Sequence, residues 1–192
     1  MSETLFNIVP MNDRIAPAAM LHVEVIADFV CPFSFLGKRR LDRALEAVQG
    51  PAQRSWYPFQ LNPEMPPEGL PFEQYLQMRF GGRDNIEPVL EHLVDEGRAD
   101  GIRFDFDRIR HVPSTLPAHQ VMQAVEGRGE DTTALAEGLM SAFFEHGLNI
   151  GEQDVLVELA AAVGLRATPR SLRIVPSGLH TISMYRVRFS GR

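Results

Sequence analysis

The sequence predicts an α/β domain in which a βαβ unit carries a long helical insertion. Residues 22–61 pass from a strand pattern to a helix pattern and back to a strand pattern. Nearly a hundred residues after them read mainly as helix. An abrupt change of composition after Leu165 then sets off the C-terminal segment.

Residues 22–29, HVEVIADF, are β-branched and half-alternating, as a strand requires. From Ser34 to Gln49, Phe35, Leu36, Leu41, Ala44, Leu45 and Val48 recur on a helical period that Gly50-Pro51 ends. Residues 54–61, RSWYPFQL, form a second strand, and Pro58 points to an edge or a bulge. A Pro-rich loop, NPEMPPEGLP, follows. Helices are expected at 72–80, 84–96, 117–126, 132–146 and 152–163, with glycines between them. After Leu165 helical periodicity stops, and HTISMYRVRF alternates weakly like one strand. The expected organisation is a loose extension over 1–20, a domain over 21–165 and an atypical tail over 166–192. Within the domain the βαβ unit covers 21–62 and the insertion 63–165.

An apolar share of 44% and a charged share of 23% suit a globular chain, and 192 residues suffice for a sizeable core. The net charge of -6 argues against general nucleic-acid binding. Apolar runs are too short to span a bilayer, and the N-terminus lacks a secretory apolar core, so a cytoplasmic protein is expected. Met11 and Met20 could each start a shorter chain. The tail holds six of the 19 basic residues and no acid, the character of a shifted frame or a rebuilt terminus.

Cys31 is the single cysteine, which excludes an intramolecular disulfide and a cysteine-based zinc site. It falls at a strand-to-helix junction, in ADFVCPFSFLGKRRL, with Pro32 where a first helical turn tolerates proline. A thiolate placed there faces unsatisfied amides and the positive end of the helix dipole. Ser34 can donate a hydrogen bond to the sulfur but cannot resolve a mixed disulfide, so any redox role needs an external thiol such as glutathione. The alternative is a buried small hydrophobe. Lys38, Arg39 and Arg40 read as a solvated basic run. Asp28 could tune or shuttle the thiol's proton, or cap the loop.

The run DFVCPFSFLGKRRL resembles the active-site segment of the DsbA superfamily, in its FrnE-like branch, which typically reads D-x-x-C-P-W-C-x-x-G-K. WYPFQLNPEMPPEG, FDFDRIRHVPSTLPAHQ and ALAEGLMSAFFEHGLNIGEQDVLVELAAAVGL are similar to further segments of that branch, so the likeness spans roughly residues 22–165. The resemblance implies a thioredoxin-like fold with a helical insertion, acting on thiols and disulfides. Relatives include kappa-class glutathione transferases and 2-hydroxychromene-2-carboxylate isomerases. Carried over, Cys31 matches the nucleophile, and Pro32 and Phe33 the variable dipeptide. Ser34 replaces the resolving cysteine, and Ser114 stands where the family usually has Asn. The family's later G-V-P-(F/T)-F segment, whose proline shapes the substrate groove, has its nearest counterpart in Val175-Pro176, about twenty residues early. The C-terminal ββα part is therefore expected to be incomplete or altered.

The expected activity is a thiol–disulfide oxidoreductase of monothiol, CxxS type, with Cys31 and Ser34 catalytic and Pro32, Phe33, Asn62 and His119 in contact with substrate. Its expected partner is a thiol or disulfide, either glutathione or a protein. No tightly bound cofactor is expected, and glutathione would serve as co-substrate. A glutathione-dependent isomerase or transferase is one alternative, and a non-catalytic binding protein or inactive variant another. Six histidines without an i, i+4 pair give no metal pattern, so no metal is expected. No G-x-S-x-G surrounds a serine, and neither glycine pair ends in Lys-Ser/Thr as a phosphate loop does.

Overall fold

A computed structural model describes residues 20–48, 51–165 and 186–190, the last as backbone pairing alone. In chain order the elements are β1 Met20–Ala27, α1 Pro32–Glu46, β2 Ala52–Pro58, β3 Leu70–Pro71, α2 Phe72–Phe80, α3 Arg83–Ala99 and β4 His111–Val112. They continue with α4 Leu116–Glu126, α5 Thr133–Phe144, α6 Gln153–Ala162 and β5 Arg186–Ser190. β1 pairs in parallel with β2, Val25 opposite Trp56, and antiparallel with β5, Val23 opposite Val187. The strand order is β2-β1-β5, with the helices from α2 to α6 inserted between β2 and β5. A parallel β1-β2 pair needs a crossover, and α1 supplies it.

The expected elements are present, with ends moved by identifiable forces. β1 starts at Met20, inside the expected extension, and stops at Ala27, which releases Asp28 and Phe29 into the turn before α1. α1 starts at Pro32 because proline's missing N–H costs nothing in a first turn. It ends at Glu46, and Val48 beyond it is exposed, with no packing to extend the helix. β2 ends at Pro58, at the sheet edge among the described residues, and the Leu61 amide turns to a side chain instead of a ladder. α3 runs past the expected stop through Gly97, where a Cβ would lie 2.5 Å from the Phe104 ring. The residue is needed there for its size, since it lets that ring close on the helix. β3 and β4 pair antiparallel but are too short to show alternation in sequence. Val175-Pro176 and most of the tail lie outside the described residues.

The core gathers Val23, Val25 and Ala27 from β1 with Phe35 and Leu36 from α1. Phe35, fully enclosed, meets Phe104 edge-on at 5.9 Å and stacks with Phe144 at 6.1 Å. These contacts join α1 to the loop after α3 and to α5, and truncating such a buried ring typically costs about 3–5 kcal/mol. No helix among the described residues is long and apolar enough to cross a membrane.

The basic run on α1 departs from its solvated reading. Lys38 is buried, and its ammonium donates to Asp42 at 2.7 Å and to Glu137 of α5 at 2.6 Å. Arg39 also pairs with Glu137, at 2.6 Å, while Asp42 pairs with Arg54 of β2. On another side Arg40 and Arg43 both bond Asp100, which ends α3. Positive charges that look solvated in sequence thus dock α1 on α3 and α5, while Asp42 ties it to β2.

Burial works to raise the Asp100 carboxyl, but hydrogen bonds donated by Arg40 and Arg43 outweigh it and hold the group below its ordinary 3.8. A carboxyl depressed in the folded state contributes stability above its unfolded value and loses it as pH falls through the folded value. Asp100→Asn should therefore lower the denaturation midpoint at neutral pH. The gap to the parent protein should narrow as pH falls below about 4, which urea titrations at pH 7 and pH 3 would measure.

Candidate functional site

The site begins where β1 runs out. The Cys31 amide donates to the Asp28 carbonyl at 3.3 Å, closing a tight turn that delivers the thiol to the start of α1. Cys31 occupies the N-cap with extended backbone, φ −96° and ψ 112°. Its carbonyl accepts from the amides of Ser34 and Phe35 at 3.0 and 3.3 Å. With Pro32 lacking an N–H, the Phe33 amide is the first-turn donor left without a bond inside the helix. The thiol itself makes no capping bond and is half-buried.

Ser34 lies one turn into α1, and its hydroxyl is not hydrogen-bonded to the Cys31 sulfur or to another described side chain. Pro32 and Phe33 stand on the wall of a cleft beside the sulfur, and Phe33 is 59% exposed. That cleft, about 290 Å³, lies between the start of α1 and the helices α2 and α3. Phe72, Tyr75 and Leu76 of α2 face Leu90 and Leu93 of α3 across it. Arg79 is the one charged residue on its wall among those described.

Behind the sulfur lies a polar knot that sequence reading recognised only in pieces. The Asp28 side chain has no exposure, and its Oδ1 accepts from the Phe29 amide at 2.8 Å. Its Oδ2 accepts from the Leu61 amide at 2.6 Å. His119 of α4 places Nε2 3.2 Å from Asp28 Oδ1 and 3.0 Å from the Phe59 carbonyl. Both neighbours are acceptors, so Nε2 carries the proton and donates to the pair. The Phe29 ring lies 4.7 Å from the imidazole and covers it. Asp28 therefore caps the loop, the plainer of its two sequence readings.

The sequence-predicted residues thus divide in two. Cys31, Pro32 and Phe33 share the cleft. His119 is buried behind the site, with its proton committed to Asp28 and Phe59. Asn62 lies off the cleft wall, its Oδ1 3.5 Å from the hydroxyl of Tyr75, which is on that wall. The cleft walls from α2 and α3 escaped sequence reading because their apolar residues look like ordinary core. The usable signal was the run Phe72, Tyr75, Leu76, Arg79, Phe80, an apolar helix face interrupted by a cation.

A βαβ unit with a helical block inserted before an antiparallel strand has counterparts among known proteins. The model of the DSBA-like thioredoxin domain matches residues 22–172, most of the chain. The chain belongs to that family. Its DsbA-like fold is also seen in a solved structure from Streptomyces coelicolor, described as a probable DsbA oxidoreductase. That structure shows a TM-score of 0.69 and 24% identity over 79% of this chain and 67% of its own. The cytosolic disulfide reductase DsbM of Pseudomonas aeruginosa, solved with GSH, shows a TM-score of 0.54 and 18% identity over 79% and 70%. In sequence, the uncharacterized protein YwbO of Bacillus subtilis is 29% identical over 153 residues, 76% of this chain and 67% of YwbO. These findings establish the expected DsbA-like family and its thioredoxin fold.

The buried knot has a measurable cost of removal. Asp28→Ala leaves the amides of Phe29 and Leu61 and the His119 proton short of an acceptor, and should cost about 3 kcal/mol or more in chemical denaturation. His119→Phe removes one donor and should cost less, about 1–2 kcal/mol. The double variant should lose less than the sum of the two, because both changes dismantle one network.

Proposed function

We propose that this DsbA-like protein is a monothiol oxidoreductase that exchanges glutathione with thiols, with Cys31 as nucleophile. The observation that carries the reading is the half-buried thiol at the α1 N-cap in a chain with one cysteine. The thiol sits where the first-turn amides of α1 point out of the helix, and the absence of a second cysteine prevents internal release of a bound partner.

In the first step the Cys31 thiolate attacks the glutathione sulfur of a mixed disulfide between glutathione and a substrate thiol. A Cys31–glutathione disulfide forms, and the substrate leaves as a thiolate that takes up a proton. In the second step a glutathione thiolate attacks that disulfide, releasing oxidised glutathione and restoring Cys31. The net change reduces one mixed disulfide and converts two glutathionyl groups into one glutathione disulfide. The Ser34 hydroxyl, not committed to any described side chain, serves as donor to the departing or attacking sulfur. Pro32 and Phe33 border the substrate. The GSH-bound structure of DsbM, a protein of the same fold, supports glutathione as the co-substrate.

Iodoacetamide should modify Cys31 in the native protein at a single position, seen by intact mass, because the thiol is only half-buried. Oxidised glutathione should then add one glutathionyl group, seen by intact mass and reversed by glutathione. Absence of the glutathione adduct on the folded protein would refute the proposal. Ser34→Cys should add dithiol reductase activity toward a disulfide substrate, and Ser34→Ala should slow release of the adduct while leaving Cys31 alkylation nearly unchanged.

A further inference from the structure

The cleft beside Cys31 has a chemical character of its own. Its wall is apolar from α1 across α2 to α3, and rings or branched side chains also form its rim. Phe33, Phe80 and Val89 all line it while remaining 38–59% exposed. At about 290 Å³ it sits at the small end of ligand pockets and suits one compact apolar group.

The single cation on that wall stands without a partner among the described residues. Arg79 makes no hydrogen bond or ion pair with another described residue. Arg83, just beyond the end of α2, by contrast takes Glu73, Glu87 and Asp107 at 3.1, 3.0 and 2.6 Å. With no acid among the described residues bound to it, the Arg79 guanidinium can pair with an anion that comes from outside, and its planar fork suits a carboxylate.

We propose that this cleft selects small disulfides whose apolar group bears a carboxylate, with Arg79 as the specificity-determining residue. The apolar group enters between α2 and α3, the carboxylate pairs with Arg79, and the attached sulfur meets Cys31. The Cys31 thiolate attacks that sulfur, a Cys31 mixed disulfide forms, and the other half of the reagent leaves as a thiolate. The reagent disulfide is the oxidant in this step. The inference rests on the proposed reactivity of Cys31 and adds to it a preference among substrates.

Three reagents separate the contributions: dithiobis(nitrobenzoate), aromatic and anionic; dithiodipyridine, aromatic and neutral; and dithiodiglycolate, anionic without a ring. Second-order rate constants are read for the parent protein, Arg79→Gln and Val89→Glu, after thermal melts establish that each variant is folded. Arg79→Gln should slow dithiobis(nitrobenzoate) about fivefold, in line with a partly exposed ion pair, and leave dithiodipyridine within about twofold. Dithiodiglycolate should lose much less than the aromatic acid, because it lacks the group that fills the cleft. Val89→Glu, which adds a carboxylate to the α3 rim, should independently slow the aromatic acid relative to dithiodipyridine.

Equal slowing of both anionic reagents would reduce Arg79 to a diffuse field and overturn the inference. Unchanged rates in Arg79→Gln would overturn it too. So would faster reaction with an apolar peptide disulfide than with the aromatic acid, because the cleft would then be a peptide groove. In these cases rapid reaction of Cys31 leaves the monothiol reading standing. Rates no faster than those of the urea-unfolded chain with all three reagents would remove that reading, and this inference with it.

Discussion

The Asp28 carboxylate is the constraint on which the site depends. It has no contact with solvent, yet it accepts hydrogen bonds from the next residue, from the chain leaving β2 and from a histidine on α4. A buried acceptor of this kind is expensive unless its lone pairs are met, and here donors from three parts of the chain meet them. Its backbone carbonyl also takes the Cys31 amide. One residue therefore sets the end of β1, the path after β2, the seat of α4 and the turn that presents the thiol.

Helix α1 carries that thiol and is gripped along its length. Phe35 and Leu36 enter the core, while Lys38, Arg40 and Arg43 bind acids on α5 and α3. A buried ion pair such as Lys38–Glu137 is weak evidence for net stability, because desolvation offsets much of the Coulomb gain. Its effect is positional: an ammonium sealed from water must meet its carboxylates, so α1 and α5 cannot slide past one another cheaply. The N-terminus of α1 is consequently held in register with the cleft that α2 and α3 form beside it.

That cleft joins the proposed chemistry to the proposed selectivity. Its apolar wall lowers the cost of placing a ring beside a sulfur, and Arg79 supplies a charge where that ring would carry its acid. Glutathione exchange at Cys31 and selection of small acidic disulfides are compatible, since one concerns the thiol and the other the group beside it.

Much of this was legible in local pattern. The β-branched run before Cys31, the apolar period after it and the glycines between later helices respond to short-range forces, so the sequence alone determined the βαβ start, the helical insertion and the thiol at a helix N-terminus. Ordered motifs over 22–165 likewise pointed to the family that the match over 22–172 establishes. Tertiary structure decided what local pattern does not encode. Lys38 reads as a surface cation until Glu137, 99 residues away, is brought to it. His119 reads as a substrate contact until packing turns it inward to Asp28, 91 residues away. The cleft walls on α2 and α3 read as core until the packing leaves a space between them and the start of α1. Periodicity reports which residues avoid water, but only the folded chain determines which of them face one another and where a gap remains.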